Sequence, residues 1–392
     1  MIVLFENKEE CTGCTACKHV CKKNAITMQT DEEGFQYPHV DEKLCVNCMM
    51  CVKVCPIKVD KQEDKLFQQQ VYAAKNKNHD VLMSSTSGGM FTAISDSVLA
   101  HNGYIYGVKF DENLNVIHNR AETAQQRDEQ KGSKYVQSDL SDTFIQVKND
   151  LEKGKQVLFT GTPCQNAGLI NFLQNQKTNC ANLVQCDFVC HHTPSPLIWK
   201  DHIHLIESKT GRKVVKYECR SKVKGWHAHT ERYYLDDGTD SYKTKLSQNF
   251  TDLFDSALVS RPACQICKFS GKARFSDITI ADYWGIEKCN PEFDNNTGVS
   301  LLIINSERGM KLFEVIRHKI DCIESTFEDA FRVNHSKPSK AHPMRKEFWE
   351  DYKNKGYVFV LKKYVDYSIP GRIYWNFKKI VRPVLKFCGI RK

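Results

Sequence analysis

Eight of the 18 cysteines fall in two copies of one spacing, Cys11-x2-Cys14-x2-Cys17-x3-Cys21 and Cys45-x2-Cys48-x2-Cys51-x3-Cys55, the second followed by Pro56. Thiolates spaced this way hold 4Fe–4S clusters. Two short gaps let one loop wrap three corners of a cluster, and the fourth cysteine of each run ligates the other cluster. This gives Cys11, Cys14, Cys17 and Cys55 to one cluster, and Cys45, Cys48, Cys51 and Cys21 to the second. Zinc sites usually pair two C-x2-C units across a longer gap, which fits three close cysteines, twice, poorly. The chemistry indicated is one-electron transfer.

Residues 1–60 therefore read as a two-cluster, ferredoxin-like module, with hairpin-like alternation from Ala25 to Val40 between the runs. Residues 61–80 are polar and rich in lysine and glutamine, and read as a linker or surface helix. From Val81 to about residue 350 the pattern is mixed α/β. The apolar run Val157-Leu158-Phe159 leads into Thr160-Gly161-Thr162-Pro163 and a helical stretch through Leu173, and a threonine cap with proline at the first helical position is a good helix start. Further strands are expected at 183–189, 214–219, 276–282 and 299–304, and a hairpin over 232–244 turning at Asp-Gly. The fold class expected is α+β or mixed α/β, a small cluster-binding module followed by a larger mixed-sheet domain.

At 392 residues the chain has room for two or three domains, and 41% hydrophobic with 26% charged residues is a globular composition. It is too long, and its cysteines too regularly spaced, for a disulfide scaffold. The N-terminus has neither the basic segment nor the apolar stretch of a signal peptide, and no apolar run reaches the length of a membrane span. A reducing cytoplasm is the expected setting. The net charge of +9 arises within residues 351–392, which carry 11 Lys and Arg against two Asp. Residues 1–350 sum to zero, so overall basicity is no argument for nucleic-acid binding.

Four further cysteines have unusual neighbours. Cys164 lies in Gly161-Thr162-Pro163-Cys164-Gln165, Cys190 precedes His191-His192-Thr193-Pro194, and Cys264 and Cys267 form a C-x2-C. Four thiolates suffice for a third cluster, although a lone C-x2-C serves equally as a zinc or redox pair. Cys180, Cys186, Cys219, Cys289, Cys322 and Cys388 lack ligand-like spacing and read as inert thiols. Ser84-Ser85-Thr86-Ser87-Gly88-Gly89 opens a helical stretch from Met90 to Leu99. The free N–H groups of a helix start favour an anion; a capped helix with a glycine turn is the plainer alternative. The dinucleotide fingerprint G-x-G-x-x-G is missing here, so no ordinary nicotinamide site is indicated.

The ordered set SSTSGGMFTAI (84–94), KGSKYVQSD (131–139), GTPCQ (161–165), CHHTPSP (190–196), RPACQICKF (261–269) and ITIADYWGI (278–286), together with the N-terminal runs, resembles the coenzyme F-420 hydrogenase/dehydrogenase beta-subunit family. The similarity spans residues 1 to about 350. It implies FAD and a 4Fe–4S cluster in the larger, flavin-binding domain, with Cys164, Cys190, Cys264 and Cys267 as that cluster's ligands. With a flavin expected, the residues themselves suggest its contacts: Ser87, Gly88 and Gly89 at the helix start, Lys134 and Tyr135 as a charge and a stacking ring, and Asp282, Trp284 and Gly285 at a strand end, with a solvated Lys134 and core packing of Trp284 as the plainer alternatives. Lys134, His191 and His192 are the candidate catalytic groups: Lys134 to neutralise charge, the histidines to relay protons near neutral pH. One departure is His192, where relatives commonly carry glycine; its bulk would narrow the pocket.

The domains expected are thus 1–60, a 61–80 linker, 81–350, and a basic aromatic tail at 351–392. The tail suits a peripheral membrane contact, a partner surface or a packed basic helix. The function expected is an iron–sulfur flavoprotein oxidoreductase. It would pass electrons between the clusters and FAD to reduce or oxidise a small molecule, with ferredoxin or another redox protein as partner and coenzyme F-420 as one substrate. The second reading is a non-catalytic electron-transfer subunit of a larger complex. Radical chemistry is disfavoured because no C-x3-C-x2-C run occurs.

Overall fold

The computed structural model describes residues 2–59, 67–334 and 336–367. Strands β1 (Ile26–Thr30) and β2 (Gln36–Val40) pair antiparallel, Ile26 opposite Val40, as the alternation between the cysteine runs suggested. Asp31 makes the turn, its Oδ1 accepting from the backbone of Glu33 (3.1 Å) and Phe35 (2.9 Å). Each cysteine run continues into a short helix, Ala16–Val20 and Met50–Lys53.

The larger part is built on an eight-stranded mixed sheet. Its strands are β3 (Gln70–Asn76), β4 (Tyr104–Phe110), β5 (Val116–Ala121), β6 (Val157–Thr160) and β7 (Leu183–Phe188), followed by β11 (Ile278–Asp282), β12 (Ser300–Ile304) and β13 (Ile320–Ser325). The intervening β8 (Val214–Ser221), β9 (Thr230–Leu235) and β10 (Asp240–Tyr242) form a separate antiparallel sheet. The large sheet runs β13-β3-β12-β11-β7-β6-β4-β5, with β4, β6, β7 and β11 parallel to one another. Ligands of open α/β sheets gather outside the carboxyl ends of parallel strands, and here the loops after β6, β7 and β11 all carry the motif residues. Helix Pro163–Asn175 follows β6 under a capping box of Thr162 and Gln165, with Pro163 in its first turn. Helix Met90–Leu99 has the bounds read from the sequence.

The cysteine module shares a core with this domain. Ala16, Val20 and Val54 are buried with Phe144, Phe159, Leu169 and Phe172, and each such aromatic ring contributes about 1.5–3 kcal/mol by leaving water. Arg345 clasps Glu33 with two hydrogen bonds, one of them Nη1–Oε1 at 2.9 Å, and the Glu33 carbonyl accepts from Ser195 Oγ (2.5 Å).

Two expectations are corrected. Part of the supposed linker over 61–80 is β3, paired with both β12 and β13 and buried at Val71, Tyr72, Ala73 and Ala74. Its four apolar residues sit between glutamines and lysines, so composition hides a strand covered on both faces. Position 351 is also no boundary, because it lies inside helix Arg345–Lys355. That helix and Tyr357–Tyr364 pack on the small sheet's core through Phe348, Val360 and Leu361. Residues 368–392, which hold most of the basic aromatic tail, lie outside the described residues. Among the described residues no helix is long and apolar enough to cross a membrane.

Candidate functional site

The loops after β6, β7 and β11 meet the segments 85–91 and 130–138 around a cavity of about 340 Å³, within the ordinary range of small-molecule sites. Of the residues singled out in the sequence, Ser87, Gly89, Lys134, Tyr135, Cys164, Cys190, His191, His192, Asp282 and Trp284 line it. Gly88 and Gly285 do not. A Cβ on Gly88 would lie 2.2 Å from the Ala74 carbonyl, and one on Gly285 2.7 Å from Val333. At Gly88 a neighbouring strand's backbone, and at Gly285 the Val333 side chain, leave no room for a side chain.

Several lining groups are already engaged. Lys134 turns its Nζ onto the carbonyls of Gln130 (3.0 Å) and Lys131 (2.7 Å), at the end of helix Ala124–Glu129. Its charge therefore clasps its own loop, while burial lowers its pKa to about 7. Ser87 Oγ donates to Val299 O at 2.7 Å. The Asp282 carboxylate accepts from Trp226 Nε1 (2.6 Å) and Arg220 Nη1 (3.2 Å). Trp284 is sandwiched between Trp226 and His229, each at a 4.6 Å centroid distance, and the Arg220 guanidinium lies 4.9 Å from its ring centre. Trp284 thus shows the cavity an edge and keeps its faces for neighbours. Tyr135 stacks on Phe254 at 4.5 Å, and His192 meets that same ring at 4.4 Å while its Nδ1 lies 3.3 Å from Ser339 Oγ.

Arg220, Trp226, His229 and Phe254 were not found from the sequence. The one signal was a tryptophan with two histidines after Gly225, between β8 and β9. Lys222 was missed too: its Nζ donates to Leu82 O and Ser87 O, each at 2.6 Å, and ties the small sheet to the loop that opens helix Met90–Leu99.

Backbone pairing gathers the second cysteine group. Arg261 N donates to Thr193 O (2.9 Å) and Ser195 N to Val259 O (3.0 Å), bringing the loop after Cys190 against the one carrying Cys264 and Cys267. Cys164 sits at the adjoining helix start, its Sγ 3.1 Å from Thr162 Oγ1. Burial first, then the neighbouring thiolates, push Cys190 far above the ordinary thiol range and Cys264 up to about 11. Thiolates crowded in a buried site need a positive charge among them, and a coordinated thiol is deprotonated outright. The donor set therefore fits a cationic iron site.

Cys11, Cys14, Cys17 and Cys55 come together, and Cys51 lies near Cys48 and Cys21. Cys17 is pushed up by burial and then by Cys14, Cys11 and Cys55, and the four thiols frame one cavity. Burial and then its neighbours Cys48 and Cys21 raise Cys51. Among the described residues no group of three or more His, Cys, Asp or Glu side chains is placed to hold a single metal ion. Arg261 stitches the first run to the larger domain: Nε donates to Cys11 O (2.8 Å), Nη2 to Gln36 O (3.0 Å) and Nη1 to Gln137 Oε1 (2.9 Å).

Residues 154–329 match the family profile for the C terminus of the coenzyme F-420 hydrogenase/dehydrogenase beta subunit, and residues 10–59 match a 4Fe-4S dicluster domain. An uncharacterized ferredoxin of Methanocaldococcus jannaschii is 35% identical over 69 residues, 16% of this chain and 88% of that protein. A chain of the F-420-reducing nickel–iron hydrogenase complex from Methanosarcina barkeri superposes with a TM-score of 0.46 at 16% identity, covering 79% of this chain and 97% of that one. The chain thus joins an N-terminal 4Fe–4S dicluster domain to a C-terminal domain of the coenzyme F-420 hydrogenase/dehydrogenase beta-subunit family.

Proposed function

We propose that the chain is an iron–sulfur flavoprotein oxidoreductase. In this reading electrons travel between the N-terminal clusters, a third 4Fe–4S cluster on Cys164, Cys190, Cys264 and Cys267, and FAD in the 340 Å³ cavity. The observation that carries it is the position of Cys164 and Cys190. Both line the cavity, and both belong to the buried thiol group that adjoins the first cysteine run. Thr12, next to Cys11, reaches the same cavity.

FAD, when bound, supplies the exchange between one-electron and two-electron carriers. The start of helix Met90–Leu99, with Ser87 and Gly89 at the cavity wall, favours the pyrophosphate. Arg220 and Lys222 add positive charge beside that wall, and Phe254 and Trp284 exclude water. His191 and His192 stand at the cavity as proton carriers. Lys134, poised near neutrality by burial, can release a proton there. The substrate is a small redox-active molecule, with a deazaflavin such as coenzyme F-420 among the fitting shapes. A partner redox protein supplies or takes the single electrons.

The reading is tested by substituting Cys264→Ser and Cys267→Ser together in the full chain, prepared without oxygen. Iron should fall by about four per chain, FAD should remain, and viologen should no longer reduce the flavin. Unchanged iron and unchanged flavin reduction would refute the third cluster. Retained FAD and cluster reduction with no turnover of small acceptors, F-420 included, would leave a non-catalytic electron-transfer subunit.

A further inference from the structure

We propose that the outer face of the second cysteine run is the docking surface for a small acidic one-electron carrier protein. This rests on the reading above, in which electrons enter through the N-terminal clusters. Cys48 is exposed, and Leu44 (49%), Val46 (59%) and Met49 (45%) are among the most exposed large apolar side chains of the chain. All three lie within six residues of sequence, beside the thiols of Cys45 and Cys48. An apolar patch around a redox centre marks an interaction site.

The rim is basic. Lys22 and Lys23 follow Cys21, Lys43 precedes Leu44, and all three are exposed. Asp41 N donates to Ala25 O (2.8 Å) and Ala25 N to Cys21 Sγ (3.3 Å), so the 22–24 turn lies against residues 41–43. Two exposed acids stand beside the three lysines: Asp41, whose Oδ1 accepts from Lys43 N (2.9 Å), and Glu42. A basic rim around an apolar centre complements an acidic partner and speeds its encounter. A second copy in a two-fold dimer would set these lysines against themselves. Cys45, Cys48, Cys51 and Cys21 would hold the second cluster, which when bound would accept one electron from the carrier's reduced centre, with no bond or proton exchanged.

The full-length, cluster-loaded protein is mixed in a stopped-flow instrument with a reduced acidic two-cluster bacterial ferredoxin or with reduced methyl viologen. With ferredoxin the wild-type rate constant should fall steeply with salt. Lys22→Glu with Lys23→Glu should lower it about tenfold at low salt and flatten that dependence. The paired Lys→Gln changes should fall between, and Val46→Ser should cost about threefold. Iron content and viologen rates should stay unchanged in every variant, which excludes misfolding. Ferredoxin rates indifferent to these substitutions, or a wild type reduced by viologen and not by ferredoxin, would overturn the surface and leave the electron path standing. Failure of viologen as well would remove the path itself. Unchanged ferredoxin rates with a dimer dissolved by Val46→Ser, or with phosphatidylserine-vesicle binding lost in the Lys→Glu variant, would give the patch to a second copy or a membrane and overturn the proposal.

Discussion

Cys14 and Cys48 hold equivalent places in their two runs, yet Cys14 is buried and Cys48 faces solvent. The backbones match: Gly13 and Asn47 have φ of 71° and 54°, and Thr15 and Met49 have 62° and 61°. The side chains do not. A Cβ on Gly13 would meet Gln137 at 2.7 Å and Arg261 at 2.8 Å, and Cys14 presses on Gly168 of helix Pro163–Asn175. Thr15 is buried, whereas Asn47 and Met49 are exposed. One loop geometry, set by cluster ligation, has been fitted to two surroundings. The inward run carries glycine and a small residue where the larger domain approaches, and the outward run carries side chains a partner could touch. Spacing tells what both runs hold, and the residues between the cysteines tell which way each faces.

The contrast breaks most visibly at Arg261. Replacing it with alanine removes three hydrogen bonds of a buried guanidinium, to Cys11 O of the first run, Gln36 O of β2 and Gln137 Oε1, and should cost about 3 kcal/mol or more, read as a lower denaturant midpoint with early loss of iron. The exposed Lys22→Glu should stay within about 0.5 kcal/mol. Gly13→Ala comes next, at about 2–3 kcal/mol, because left-handed strain adds to the clash with Arg261 and Gln137. Asn47→Ala should cost about 1 kcal/mol, and equal losses at 13 and 47 would erase the distinction between the runs.

Acid should act on the larger domain through its buried histidines. Burial lowers His118 to about 4 and His202 to about 3, below the unfolded value of about 6.5. The unfolded chain therefore binds protons first. The stability these groups contribute is complete above about pH 6.5 and is lost as pH falls toward 4. His118→Gln should flatten that slope in pH-dependent melting, and an unchanged slope would place the acid-labile group elsewhere. The smallest effect is at Met49 and Thr15, the left-handed residues after Cys48 and Cys14. Met49→Gly should gain about 0.5–1 kcal/mol by relieving strain at an exposed site, while Thr15→Gly should gain nothing because it also empties a buried site.

The parts legible in the sequence were those written in short-range spacing. The cysteine runs, the capped helix after Thr162, helix Met90–Leu99 and the strands around the motif loops are each specified within a few residues. What escaped is held by distance. Arg220 and Trp226 reach Asp282 across 62 and 56 positions, and β3 becomes a strand only between β12 and β13. Gly88 looked like part of an anion loop, but what forbids a side chain there is the neighbouring strand. Lys134 looked free to meet a ligand until its own loop's carbonyls were in place.

The most direct test of the path from exposed run to cavity is the iron and FAD content of the full chain purified without oxygen. Three clusters and a flavin predict about 12 irons and one FAD per chain. About eight irons with no flavin would contradict the account, leaving a two-cluster carrier whose buried second cysteine group holds nothing.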